Sequence, residues 1–370
     1  MGVVGVGVIG TGFGRTIHIP ALLATQNCRV IGIASRRYDR SRETAQEFSL
    51  PRHFTSWREL LRCREIDAVT IATPPASHEE IVLAALVAGK AVLCEKPLAL
   101  NATQAARMLD AARRGGRAHM VDFEFREIPA WRYAKQVLEK GEIGPLRHVN
   151  VTWILHTWAD PGRPWSWKAD RAQGGGLLGA FGVHIFDYLE WLWAPVSSLT
   201  SHLSTRVTRR PDDSGTWRNV DAEDCCHLLL ELRDGTPVSV TTSTVAPVGK
   251  GHWVEFYGEE RTLIIGSDNL TDYGKGFRLW EGSPGSKDVR EIPIPAEYQF
   301  GWEFADGRIA PFARLAQRFI DAVTEGEVDV RPSFEDGLRA QVLLDGAREA
   351  HRVGCWIKVS GPEGSGGSSI

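Results

Sequence analysis

Three groups of residues in this chain have types and spacings suited to chemistry: glycines that follow an apolar run, arginines that follow the next one, and a histidine on an apolar helical face. The first group is Gly10-Thr11-Gly12-Phe13-Gly14-Arg15, directly after Val3-Val4-Gly5-Val6-Gly7-Val8-Ile9. A buried strand that empties into glycines hands over to a phosphate-binding turn at the positive N-terminus of a helix. Gly10 permits the tight turn and Gly12 lets a pyrophosphate approach the backbone, while Arg15 occupies the position of the third glycine in the usual pattern. The second group is Ser35-Arg36-Arg37. An acid at this point of a dinucleotide site selects a free ribose 2'-hydroxyl, whereas an arginine accommodates a 2'-phosphate. No acid occurs before Asp39, which favours NADP(H), with NAD(H) as the alternative and a solvated surface pair as the plainer reading.

The third group lies between residues 156 and 193. Ala180, His184, Asp187 and Trp191 share one helical face at spacings of three and four. A neutral imidazole takes or gives a proton near pH 7, although a satisfied core histidine would fit the same pattern. Ahead of it stand Trp158, Trp165 and Trp167, whose indoles either wall a carbohydrate site or fill core and subunit contacts. Arg163, Lys168 and Arg171 suit an anionic group or simply a solvated surface.

The elements that must position these groups alternate. Apolar runs at Arg29 to Ala34, Ile66 to Thr73, Ala91 to Cys94 and Ala118 to Phe123 read as strands. Between them, Thr16 to Thr25, Ser41 to Phe48, His78 to Ala88 and the stretch after Asn101 read as helices, with Pro20 confining the first and Gly89 stopping the third. This alternation predicts right-handed crossovers and a doubly wound parallel sheet, an N-terminal Rossmann domain over residues 1–123. A helix from Pro129 to Lys140 and a strand from Leu146 to Leu155 open a second domain, 124–360, of α+β class. Cys226 to Leu232, Pro237 to Val245, His252 to Tyr257 and Thr262 to Ile265 alternate as an antiparallel sheet would, with a turn at Asp234-Gly235. Helices near Pro311 to Thr324 and Phe334 to Arg352 follow, then a flexible tail, 361–370.

With 370 residues there is room for two domains, and 43% hydrophobic against 24% charged residues is ordinary for a globular protein. A formal charge of -3 leaves no electrostatic footprint for nucleic acid. No run reaches the roughly 18 apolar residues a membrane span requires. The apolar start lacks a charged n-region and runs into glycines, so it reads as a strand rather than a secretory signal. Six scattered cysteines show neither C-x-x-C nor zinc-like spacing to histidine, so reduced thiols, a cytoplasmic location and no metal are expected.

Gly10-Thr11-Gly12, Thr73-Pro74-Pro75 with His78, Glu95-Lys96-Pro97, Gly174-Gly175-Gly176-Leu177-Leu178, and Gly182-Val183-His184 with Asp187 together resemble the glucose-fructose oxidoreductase and inositol dehydrogenase family, written Gfo/Idh/MocA. The resemblance spans most of the chain. It implies an enzyme that moves hydride between a nicotinamide and a carbon of a sugar, inositol or related polyol. Its second domain would carry a large open sheet used in a homodimer or homotetramer. By this resemblance Lys96 and His184 are the catalytic pair. The cofactor would be held by residues 10–15, Ser35, Arg36, Arg37, Thr73, Pro74, His78, Glu95 and Lys96. The sugar-like substrate would meet Glu124, Arg126, Asp187 and the tryptophans. The family pairs its histidine with an aspartate four residues earlier, where this chain has Ala180. Two other functions fit the same residues: a glycoside hydrolase that oxidises and re-reduces its sugar on tightly held NAD, and a regulator that binds dinucleotide without catalysis.

Overall fold

The computed structural model describes residues 2–359; the tail expected at 361–370, like Ser360, lies outside them. The described chain divides into two compact units, residues 2–127 with 300–341, and residues 128–299 with 342–359. Each is described by itself.

In the first unit, β1 (Val4–Ile9), β2 (Cys28–Ala34), β3 (Arg52–Phe54), β4 (Ala68–Ile71), β5 (Ala91–Cys94) and β6 (His119–Val121) form a parallel sheet in the order β3-β2-β1-β4-β5-β6. The chain reverses direction across the sheet between β1 and β4, where a doubly wound sheet binds its ligand beyond the carboxyl ends of the strands. Strands covered on both faces must be apolar throughout, and β1, β4, β5 and β6 are buried end to end. The strand expected over Ile66 to Thr73 keeps only Ala68–Ile71, since Pro74 and Pro75 bring no N–H to a ladder. The short β3 and the helix Trp57–Leu61, capped by the Ser56 hydroxyl, have no apolar run to announce them.

Residues 300–341 complete this unit. The helix Ile309–Glu325 lays Ile309, Phe312, Ala313, Ala316, Phe319 and Ile320 into the same core as β1 and β2. The Val121 N–H, at the open edge of the sheet, donates to the Pro332 carbonyl at 3.1 Å. An unpaired edge is thereby closed by a segment about two hundred residues away in sequence.

The second unit is built on a mixed sheet. Its strands are β7 (Leu146–Ile154), β8 (Val196–Ser204), β11 (Cys225–Leu232), β12 (Pro237–Ser243), β13 (Gly251–Gly258), β14 (Thr262–Ser267), β15 (Arg278–Gly282), β16 (Arg290–Ile292) and β17 (Ile357–Lys358). Among the described residues the order is β16-β15-β14-β13-β7-β12-β11-β8-β17, parallel only between β7 and β12. A separate hairpin pairs β9 (Arg209–Pro211) with β10 (Trp217–Asn219). Along β11 the residues Cys226, Leu228, Leu230 and Leu232 are buried while their neighbours are not, the period-two pattern of a sheet covered on one face. The expected Asp234-Gly235 turn joins β11 to β12, with Gly235 at φ +86. Trp131 on the helix Pro129–Glu139 and Tyr188 on the helix Val183–Leu192 meet with ring centroids 4.5 Å apart.

Truncating Phe312 to alanine, a fully buried ring in the first unit, is expected to destabilise that unit by about 3–5 kcal/mol. Urea unfolding followed by tryptophan fluorescence measures this, and a loss below about 1 kcal/mol would contradict the helix's place in that core.

Candidate active site

The glycine turn works through what is missing from it. Gly10 sits at φ +113, and a Cβ there would lie 2.4 Å from the Ala72 carbonyl at the end of β4. Gly12 is exposed with open space where a Cβ would point, and the amides of Thr11 and Gly12 have no acceptor among the described residues. Two unclaimed N–H groups beside open space fit a pyrophosphate. The tight helix-to-strand contact belongs to Gly14, whose Cβ would fall 2.9 Å from the Val8 side chain. Arg15, one position on, pairs with Glu47 at 2.6 Å. Ser35 accepts from the Arg37 N–H at 3.2 Å and lies 3.5 Å from the Thr11 hydroxyl. Arg36 and Arg37 are exposed, with no ion pair among the described residues.

After the turn the backbone winds into a π-helical turn, Gly14–His18, closed by the Ile19 N–H on the Gly14 carbonyl. The α-helix Ile19–Ala24 follows, with Pro20 in its first turn, where a missing N–H costs nothing. The wide turn ends on His18, fully buried, its ring stacked on Phe312 at 4.1 Å.

His18 meets the segment after β5. Its Nε2 lies 3.1 Å from Oε1 of buried Glu95, and Oε2 of Glu95 accepts the Lys96 backbone N–H at 3.2 Å. Ligand-type atoms of His18, Glu95 and Asp122 all lie within 4.8 Å of one another. Glu124, beginning a 3-10 turn, is also buried. Burial raises the carboxyl of Glu95, but the hydrogen bond and charge of His18, with the charges of Lys96 and His78, outweigh it and hold Glu95 below its usual range. Burial, aided by the charges of Glu124 and Glu95, pushes Asp122 well up. Burial likewise lifts Glu124 to about 7, against the pull of Lys96 and Arg308. His78 is fully buried, with Nε2 2.8 Å from the Thr73 carbonyl and Nδ1 3.1 Å from that of Pro97, so it ties the end of β4 to the Lys96 loop. Arg126 pairs with Asp336 at 3.0 Å.

In the second unit a π-helical turn, Leu178–Gly182, again precedes a buried histidine, His184. Such turns insert one residue into a helix and recur at functional sites. The last of the three glycines before it makes room for a carboxylate. Gly176 has φ +108, its Cβ would fall 2.3 Å from Glu223 Oε1, and that oxygen accepts the Leu178 N–H at 3.0 Å. Trp153 stands 6.4 Å from the His184 ring and 4.4 Å from Phe181, and Phe181 in turn 6.3 Å from Trp158. Trp158 thus joins an aromatic wall with His184, to which Tyr273 adds a further edge. Trp165 is engaged by the hairpin, its N–H donating to the Asn219 carbonyl with Arg218 over its ring at 3.7 Å. Trp167 begins a 3-10 turn beside Lys168. Asp187 is buried one turn beyond His184, and Ala180 lies within the π turn. Phe181 and Glu223 carried no sequence signal of a role. Trp153 showed one only as an inward position of a strand.

Two family models match. Residues 4–123 fit an oxidoreductase family with an NAD-binding Rossmann fold, and residues 131–264 fit the GFO/IDH/MocA C-terminal domain. The chain belongs to the Gfo/Idh/MocA oxidoreductase family. An uncharacterised oxidoreductase of Synechocystis is 39% identical over 96% of this chain and 95% of its own length. An inositol 2-dehydrogenase of Saccharopolyspora erythraea is 32% identical over 77% and 79%. A solved levoglucosan dehydrogenase in complex with NADH and L-sorbose superposes at a TM-score of 0.86, with 28% identity over 97% of this chain and all of that one. This Gfo/Idh/MocA protein is an oxidoreductase acting on CH–OH groups, with a nicotinamide dinucleotide as its cofactor.

The buried Glu124 gives the first unit a pH dependence. An unfolded glutamate titrates near 4.3, so the folded state binds the proton more tightly. The contribution to stability is complete below about pH 4 and is lost as the pH rises through 7. Glu124→Gln is expected to reduce the stability lost between pH 5 and pH 8 by about 1–3 kcal/mol, measured by urea titration at both pH values. Identical losses in the two proteins would contradict the assignment.

Proposed function

We propose that this protein transfers hydride between NADP(H) and a hydroxyl or keto carbon of a sugar, inositol or related polyol or glycoside, with Lys96 and His184 handling the hydroxyl proton. The observation that carries this reading is the setting of Lys96. It follows a buried strand, its loop is braced by His78, and the acids around it form a buried cluster. A proton-handling group needs such a held position and a neighbour able to accept or return charge. The partly exposed rings of Phe181 and Trp158, backed by the buried Trp153 near His184, support a sugar-like substrate, whose C–H faces stack on aromatic rings.

When bound, the nicotinamide supplies the hydride acceptor or donor. The turn at Gly10 to Gly14 would hold the pyrophosphate on backbone N–H groups. Arg36 and Arg37, exposed at the end of β2 with no earlier acid, support a ribose 2'-phosphate and hence NADP(H) over NAD(H). Lys96 holds the substrate oxygen by hydrogen bonding and takes or gives its proton, and His184 does the same near pH 7. The broad second sheet, with Leu229 exposed on its uncovered face, supports a homodimer or homotetramer, which light scattering measures. The reading places the enzyme in the cytoplasm.

Purified protein given NADP or NAD and a panel of sugars, inositols, levoglucosan and their keto forms is expected to change nicotinamide absorbance with at least one compound. Aglycone release without net nicotinamide reduction would instead establish the hydrolase cycle, and cofactor binding with no turnover of any kind the regulator. With the active compound, Lys96→Met and His184→Asn should each lower kcat/KM by about 10²–10⁴-fold, and His184→Asn should leave cofactor affinity within a few-fold. Arg36→Asp should weaken NADP at least tenfold relative to NAD, and an unchanged ratio would refute the 2'-phosphate assignment.

A further inference from the structure

The diphosphate of a nicotinamide dinucleotide carries a negative charge on each phosphate, and backbone N–H groups offset only part of it. Within the glycine turn, residues 10–15, the basic side chain is Arg15, and Glu47 engages it at 2.6 Å. A second arginine reaches the turn from the other end of the sequence. The guanidinium carbon of Arg308 lies 5.0 Å from the centre of the Phe13 ring, within cation–π range, and Phe13 stands between Gly12 and Gly14. The segment that carries it is seated on the core of the first unit. Trp302 and Phe304 pack against the cluster formed by β1, β2 and the helix Ile309–Glu325, as Phe13 does. Asp306 then fixes the arginine: its Oδ1 accepts the Arg308 backbone N–H at 3.0 Å and Nε at 2.8 Å, and its Oδ2 accepts Nη2 at 2.5 Å. A long side chain gripped along one edge loses little further freedom when a ligand meets it. With 28% of its side chain exposed, Arg308 stays within reach of one. Its charge also draws on the Glu124 carboxyl beyond β6, so it stands over the carboxyl ends of the strands, the side on which a doubly wound sheet binds its ligand.

We propose that Arg308 is a further cofactor-binding residue, whose guanidinium meets the dinucleotide diphosphate over Phe13 while Asp306 positions it. The segment 300–308 then completes the dinucleotide site as well as the core. A guanidinium suits this place, because it stays charged at every pH at which the protein is folded and its planar fork matches phosphate oxygens. Asp306 offsets part of that charge, so the contribution is moderate: loss of Arg308 costs about tenfold in affinity, the worth of one hydrogen bond to a charged group. Arg308 acts on NAD(H) and NADP(H) alike, since both carry the diphosphate. Arg36 and Arg37 act differently, through a 2'-phosphate that only one of them has.

This inference rests on the reading of the Gly10 to Gly14 turn as the pyrophosphate site, and its test separates the two. Wild-type protein, Arg308→Gln, Arg308→Lys and Gly12→Val are titrated calorimetrically with NADP, NAD and ADP-ribose at several salt concentrations, each after its melting curve is recorded. Arg308→Gln should bind all three about tenfold more weakly, by one common factor, and flatten the salt dependence of binding. Arg308→Lys, which keeps the charge, should restore that salt dependence. Weaker binding with an unchanged salt dependence would show a purely structural role for Arg308 at the start of its helix and overturn the proposal. A shifted ratio of NADP to NAD would overturn the assignment to the diphosphate. The side chain of Gly12→Val enters open space and should abolish binding of all three ligands. Wild-type binding by Gly12→Val would overturn the reading of the turn itself. Lost binding in Gly12→Val beside an Arg308→Gln that binds like wild type would overturn Arg308 and leave the turn standing. Phenylglyoxal labelling of the wild-type protein, read by peptide mass spectrometry, tests the contact without variants. Saturating ADP-ribose should protect Arg308, and labelling unchanged by that ligand would overturn the proposal.

Discussion

A carboxyl group removed from water must find a cation, a set of hydrogen bonds or a proton, and the carboxyl end of the first sheet removes three of them together. Glu95 takes the second solution, lying 3.1 Å from His18 and accepting the Lys96 backbone N–H, while burial pushes Asp122 towards the last. Much of the surrounding structure serves that requirement. The π turn at Gly14–His18 brings His18 inside, Phe312 seals its far face, and His78 fixes the loop that carries Glu95 and Lys96. Without those contacts the lysine would be a surface side chain on a loop.

Close approach is the second constraint, and glycine meets it in both units. At Gly14 the helix lies so near β1 that a methyl group would strike Val8. At Gly176 the space a methyl would fill is taken by the Glu223 carboxylate, which holds the N–H of Leu178 at the mouth of the second π turn. In each case a glycine-rich stretch leads into a π-helical turn and then a buried histidine. The glycines that read as ligand cradles therefore divide into two kinds. Gly12 leaves space open, while Gly10, Gly14 and Gly176 let protein atoms close on one another.

Much of this was legible in the order of residues. The apolar runs of β1, β2, β4, β5 and β6 name their strands because a sheet covered on both faces admits little else. Asn101 caps its helix as its type suggests, accepting the Gln104 N–H at 3.0 Å. Arg15 stands where the usual pattern has its third glycine, yet the packing glycine sits one place earlier, at Gly14. The strands β3 and β8 and the helix Trp57–Leu61 passed unnoticed, being short or only partly buried. Trp158, Trp165 and Trp167 are alike in sequence, but Trp158 lies along the aromatic wall of His184 while Trp165 is engaged by the hairpin.

By itself the sequence determined the parallel, doubly wound class of the first sheet, the dinucleotide turn and the family, because those depend on local periodicity and on residues close together in the chain. The tertiary structure alone decided that residues 300–341 complete the first unit and that His18 reaches Glu95 across 77 positions. It alone buried Asp122 and Glu124 into one electrostatic group. Burial and mutual charge are properties of distance in space, and no spacing along the chain encodes them.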